Sequence, residues 1–170
     1  MARQTETQED AKQQLWTQLS RGRTSMLAVT GSGQHPQPMT HFADEDSGAI
    51  WFITSSDTDL ARAVGTGGRG ELCFVSSNQD YYASIEGALV ASQNDAKLDE
   101  YWSVAAAAWF EQGREDPKVT LLKFTPAEAA VWANESSAVL VGLKLLRAGL
   151  QEGGSKPDIG VHHVLQMNQD

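Results

Sequence analysis

Cysteine is nearly missing from this chain. Cys73 stands alone among 170 residues, so there is no internal disulfide framework and no cysteine-built zinc or iron–sulfur centre. Basic residues are scarce as well: 13 Lys and Arg against 22 Asp and Glu leave a formal charge of −9. Nucleic acid and anionic membranes both reward clustered cations, so neither is expected as a partner. No apolar run approaches the roughly 18 residues of a membrane helix, and the opening MARQTETQED lacks the apolar segment of a signal peptide. G-x-S-x-G, H-E-x-x-H and Walker A sequences are absent too, which removes the simplest support for hydrolase or nucleoside-triphosphatase chemistry. The expectation is a soluble, cytoplasmic protein. Its 41% hydrophobic and 21% charged residues are ordinary proportions, and 18.4 kDa suffices for a core without staples.

What is present alternates between short β-rich runs and turns. Thr5 and Gln8 have capping-box spacing, and Ala11, Leu15 and Leu19 recur every fourth residue, which predicts a first helix ending near Ser20. Strands are predicted over 24–30, 38–43, 49–54, 71–76, 80–91, 119–125 and 129–134, with turn residues between them. In the fifth of these, Tyr81, Ala83, Ile85 and Gly87 share one face, and Tyr82, Ser84 and Glu86 the other. Ser56 and Asp59 cap a short helix to Val64, Asn94 caps another, residues 105–108 favour helix, and Val139, Leu143, Leu146 and Leu150 mark a final one. From Gln151 the composition is that of a tail, so residues 1–150 are read as the domain and 151–170 as an appendage. Hairpin-linked strands predict a mainly β fold: a six- to seven-stranded antiparallel split barrel with short flanking helices.

Several apparent motifs dissolve on inspection. Gly65, Gly67 and Gly70 spell G-x-G-x-x-G. A dinucleotide site needs a strand before that loop and a helix after it, and here the order is reversed. Asp44, Glu45 and Asp46 lack the further oxygen ligands of a calcium loop and sit where a turn is wanted. His162 and His163 are adjacent, not three or four apart, and lie in the tail, so they are read as non-ligands. His41 falls within a strand, where a lone histidine is more often structural than catalytic.

Two features keep a functional reading. The run Phe52-Ile-Thr-Ser-Ser-Asp-Thr58 carries a strand out into hydroxyl residues and a helix start, which suits a small phosphate cradle with Arg62 one turn inside. Plain capping by Ser56 explains the same residues. The five tryptophans, with Trp102, Trp109 and Trp132 in the second half, suit the walls of a flat aromatic cofactor site, or equally a core or a dimer interface.

Pro38-Met-Thr-His-Phe42, Ile50-Trp-Phe-Ile-Thr-Ser-Ser-Asp-Thr58, Asp80-Tyr-Tyr-Ala-Ser-Ile-Glu-Gly87, Trp109-Phe110, Asp116-Pro-Lys118 and Val131-Trp132 together resemble the FMN-binding general stress proteins. These belong to the pyridoxamine 5′-phosphate oxidase-like split-barrel superfamily. The likeness spans roughly residues 10–135. It implies a homodimer with FMN at the subunit interface and a flavin-dependent redox role. Met39 and Thr40 would line the isoalloxazine, and Ile53 and Thr54 the ring and ribityl chain. Ser55 and Thr58 would meet the phosphate. Tyr82, Ser84 and Trp132 would come from the partner chain. Gln37 and Leu60 stand where members carry Arg and Lys, which removes charge-assisted bonds of about 1.5–3 kcal/mol each. Arg62, Arg23 and Arg69 are the cations left to replace them. The resemblance assigns no catalytic residue, and His41 is the nearest general acid or base. The alternatives are a non-catalytic flavin sensor or buffer, or a split barrel holding haem or a deazaflavin.

Overall fold

The computed structural model describes residues 7–134 and 160–167. The expected final helix over 139–150 and the Thr5 cap lie outside these residues. Helix α1 spans Gln8–Arg21, and its N-cap is Thr7, whose hydroxyl accepts the Asp10 N–H at 3.1 Å. The strands are β1 (Thr24–Val29), β2 (Gln37–Thr40), β3 (Phe42–Asp44), β4 (Ala49–Ser55), β5 (Gly68–Val75), β6 (Tyr81–Ser92), β7 (Val119–Asn134) and β8 (Gly160–Gln166). Short helices α2 (Asp59–Val64), α3 (Asp95–Tyr101) and α4 (Val104–Ala107) intervene.

All described strand pairs are antiparallel, in the order β2-β1-β5-β6-β7-β4-β3, with β8 added on β7. The expected mainly β, antiparallel fold is what forms. The sheet curls into a half barrel, and its two end strands, β2 and β3, are consecutive in sequence. The strand expected over 38–43 is therefore broken at His41, where the chain leaves one sheet edge and joins the other. His41 N–H donates to the Arg23 carbonyl at 3.0 Å, which turns the corner.

Side-chain alternation divides the sheet into two faces. The concave face packs Leu27, Ile50, Phe52, Leu72, Phe74, Ile85, Leu122 and Phe124 around the apolar stripe of α1, from Ala11 through Leu15 and Trp16 to Leu19. A smaller cluster forms on the opposite face, where Leu98 of α3 covers Ala49, Trp51 and Leu121. Lys97 beside it binds Asp44 at 2.8 Å and ties α3 to β3.

Three further boundaries differ from expectation. Strands 119–125 and 129–134 are one strand, β7. The Pro126–Glu128 stretch that suggested a break is a bulge opposite Glu86 and Gly87. A β-carbon on Gly87 would overlap the Thr125 carbonyl, so glycine is what lets β6 pass the bulge. Residues 160–166, read as tail, form β8: Leu165 is fully buried in the concave core, while Val164 faces outward. Finally, α2 is capped by Thr58, not Ser56. The Thr58 hydroxyl accepts the Ala61 N–H at 3.2 Å. The loop 65–70 follows a helix and opens a strand, which excludes a dinucleotide loop.

Candidate functional site

The hydroxyl residues at the end of β4 converge. Thr54 is buried on the concave side, and its Oγ1 lies 3.2 Å from that of Thr58. The Thr58 hydroxyl also donates to the Ser55 carbonyl at 2.8 Å. Ser55 Oγ accepts the Asp57 N–H at 3.3 Å. The result is a tight turn that presents Ser55, Asp57 and Thr58 at the rim of the sheet. The residue just before β7 anchors it: the Lys118 carbonyl accepts the Ser56 N–H at 2.8 Å, and Lys118 Nζ binds the Asp57 carboxylate at 2.7 Å. That bond raises the Lys118 pKa. Arg62 pairs with Asp59 at 3.1 Å, one turn further on.

Met39 and Thr40 lie on β2, just before the His41 corner, where β2 touches β4. Met39 packs against the concave core, and Thr40 is exposed. Ile53 and Ser55 face outward, paired with Leu121 and Val119. Those two β7 residues line a cavity of about 500 Å³ between α3 and the start of β7. Met39, Thr40, Ile53, Thr54, Ser55 and Thr58 thus lie at the β2–β4 end of the sheet, with Met39 and Thr54 on its concave side and Ile53 and Ser55 on its outer side.

Tyr82, Ser84 and Trp132 form a second group. Tyr82 lies directly across from Trp132, which lies across from His162. Trp132 is 39% exposed and stacks on His162 with ring centroids 4.9 Å apart and planes 22° from parallel. The sequence reading of His162 as a tail non-ligand misses this stack, because the β8 pairing that makes it is long-range. Met26 on β1, Val75 on β5 and Val164 on β8 are exposed on the same outer face. At the usual strand rise of about 3.3 Å per residue, Trp132 lies on the order of 35 Å along β7 from Leu121. One copy of the chain therefore keeps the two groups apart.

His41 is a structural residue. It is fully buried, with Nε2 2.9 Å from the Leu19 carbonyl and Nδ1 3.1 Å from Ser25 Oγ. A carbonyl can only accept, so Nε2 carries the proton and Nδ1 accepts from Ser25. Phe74 meets the ring edge-on. Burial lowers the His41 pKa, and hydrogen bonding to Leu19 only partly offsets it. Leu60, at a position where the resemblance implies lysine, is 2% exposed and belongs to the core. Among the described residues, no group of His, Cys, Asp and Glu is arranged to hold a metal, and no helix is long and apolar enough to cross a membrane.

Similarity to known proteins follows the fold. A protein of Jannaschia sp. CCS1 assigned to general stress protein 26 is 34% identical over 93% of this chain and 99% of its own, with a TM-score of 0.79. The general stress FMN/FAD-binding protein of Xanthomonas citri is 38% identical over 76% of this chain and 92% of its own, with a TM-score of 0.69. No curated protein matches. The pattern of the pyridoxamine 5′-phosphate oxidase-like family matches residues 10–158. By its half barrel, its matched length and these relatives, the chain belongs to the pyridoxamine 5′-phosphate oxidase-like family, among its general stress proteins.

Proposed function

We propose that this chain binds a flavin, that the flavin is FMN, and that it lies between the two subunits of a homodimer. One observation carries the reading. The hydroxyl turn 54–58 and the Tyr82–Trp132 pair sit at opposite ends of a long strand pair, and a second copy is what would bring one copy's turn to the other's rings. The donor chemistry fits FMN. Thr54, Ser55 and Thr58 offer hydroxyls and Lys118 a charge to a phosphate, while Trp132 offers a half-exposed apolar plane to an isoalloxazine. Met26, Val75 and Val164, 40–50% exposed on the outer sheet face, suit burial against a second copy. Bound FMN would supply electron transfer. The protein's part is to hold the phosphate at the turn and the ring against Trp132, away from water.

The burial of His41 favours a second reading of the role. Its ring nitrogens are engaged by Leu19 and Ser25, so it offers no proton to a substrate. That supports a flavin carrier or sensor over an enzyme using His41 as acid or base.

The test is an absorbance spectrum during FMN titration, with tryptophan fluorescence followed alongside. A bound-flavin band with quenched tryptophan is expected. Neither band nor quenching at saturating FMN would overturn the reading and turn attention to haem or a deazaflavin. Reduced flavoprotein reoxidised by candidate acceptors no faster than free FMN would favour the carrier.

A further inference from the structure

We infer that Lys118, and not Arg62, supplies the cation that meets the flavin phosphate, with Asp57 as the counter-ion the phosphate displaces. This rests on the reading above, that the turn 54–58 receives a phosphate.

Leu60 is sealed in the core and cannot supply the charge. Gln37 has no charge to supply. Other cations are held elsewhere: Arg69 by Glu86, Arg114 between Asp95 and Asp99, Lys97 by Asp44 and Glu100, Arg23 over the Phe42 ring and Lys123 over the Trp51 ring. Arg62 and Lys118 remain near the turn. Arg62 is held by Asp59 within α2, and its side chain is 63% exposed. Lys118 is tied to the turn at two points. Its carbonyl takes the Ser56 N–H, and its ammonium sits on Asp57, between Ser55 and Thr58 in sequence. The backbone tie fixes where the lysine stem starts, so less freedom is lost when the ammonium engages a ligand.

Asp57 and Lys118 are 57% and 59% exposed. Such a pair is held weakly, so a phosphate carrying more charge than one carboxylate can take the ammonium over. Left in place, Asp57 would repel the same phosphate. The pair thus keeps the turn neutral until a phosphorylated ligand arrives, and makes it discriminate between flavins with and without phosphate.

The experiment titrates wild type, Lys118→Gln, Arg62→Gln and Asp57→Asn with FMN and with riboflavin, reading flavin and tryptophan fluorescence. Lys118→Gln should weaken FMN binding about tenfold or more and leave riboflavin unchanged. Arg62→Gln should change FMN binding much less, and Asp57→Asn should tighten it. A larger loss in Arg62→Gln than in Lys118→Gln, or equal weakening of both flavins by Lys118→Gln, would overturn the assignment. Wild type that binds both flavins alike, with no effect of Lys118→Gln, would sink the assignment and leave the flavin reading standing. Wild type that binds neither would sink both.

Discussion

His41 shows how one residue can decide the shape of the sheet. Its backbone turns the corner between β2 and β3, while its neutral ring bridges Leu19 at the end of α1 and Ser25 on β1. A buried neutral imidazole has a signature in pH. Its folded pKa is lowered from the ordinary 6.5, so above that value both folded and unfolded chains carry it neutral. Below it, the unfolded chain takes up a proton that the folded one resists, and stability falls. The melting temperature should therefore decline from pH 7 to pH 5. In His41→Gln, which melts lower at pH 7, that decline should flatten. An equally steep decline in the variant would place the titrating group elsewhere.

Elements depend on how residues meet across strands. The β6–β7 pair reaches from the 54–58 turn to the Trp132 row because β7 continues past Pro126 through a bulge. Gly87 makes that possible, since any side chain there strikes the Thr125 backbone. Gly87→Ala should cost about 1–3 kcal/mol, the usual cost of forcing extra atoms into a packed site, read as a lower midpoint in urea. An unchanged midpoint would mean the bulge relaxes freely. β8 is the other element on which the aromatic row depends. Leu165 anchors it in the core, and that places His162 against Trp132.

At the scale of the whole molecule, the outer sheet face carries the exposed apolar residues Met26, Val75 and Val164 on which the proposed dimer rests. Val75 is half exposed there, directly across from Tyr82. Replacing it leaves the concave core untouched. If the proposed dimer forms through this face, Val75→Glu should lower the solution mass by light scattering from dimer to monomer and weaken FMN binding at the same protein concentration. The reason is that a two-fold interface would bury the new carboxylate in both copies of an already acidic protein. A monomeric variant with undiminished FMN affinity would show that the flavin is held within one chain.

Much of this was legible in the order of residues. Period-two alternation marks Tyr81 to Gly87 as a strand with two distinct faces, and the four-residue recurrence of Ala11, Leu15 and Leu19 marks α1, because these patterns are local consequences of backbone geometry. The hydroxyl run from Thr54 to Thr58 is readable for the same reason. What local chemistry could not reveal was decided by partners distant in sequence. His41 is a corner because α1 and β1 receive its ring. Leu60 is core because the half barrel closes over it. β8 is a strand because β7 offers an edge to pair with. Lys118 stands at the turn because the β4–β7 ladder brings Val119 opposite Ser55. Composition and periodicity set which segments become strands and helices. Burial and register, which exist only once the sheet has curled, decided which of those residues face the candidate site.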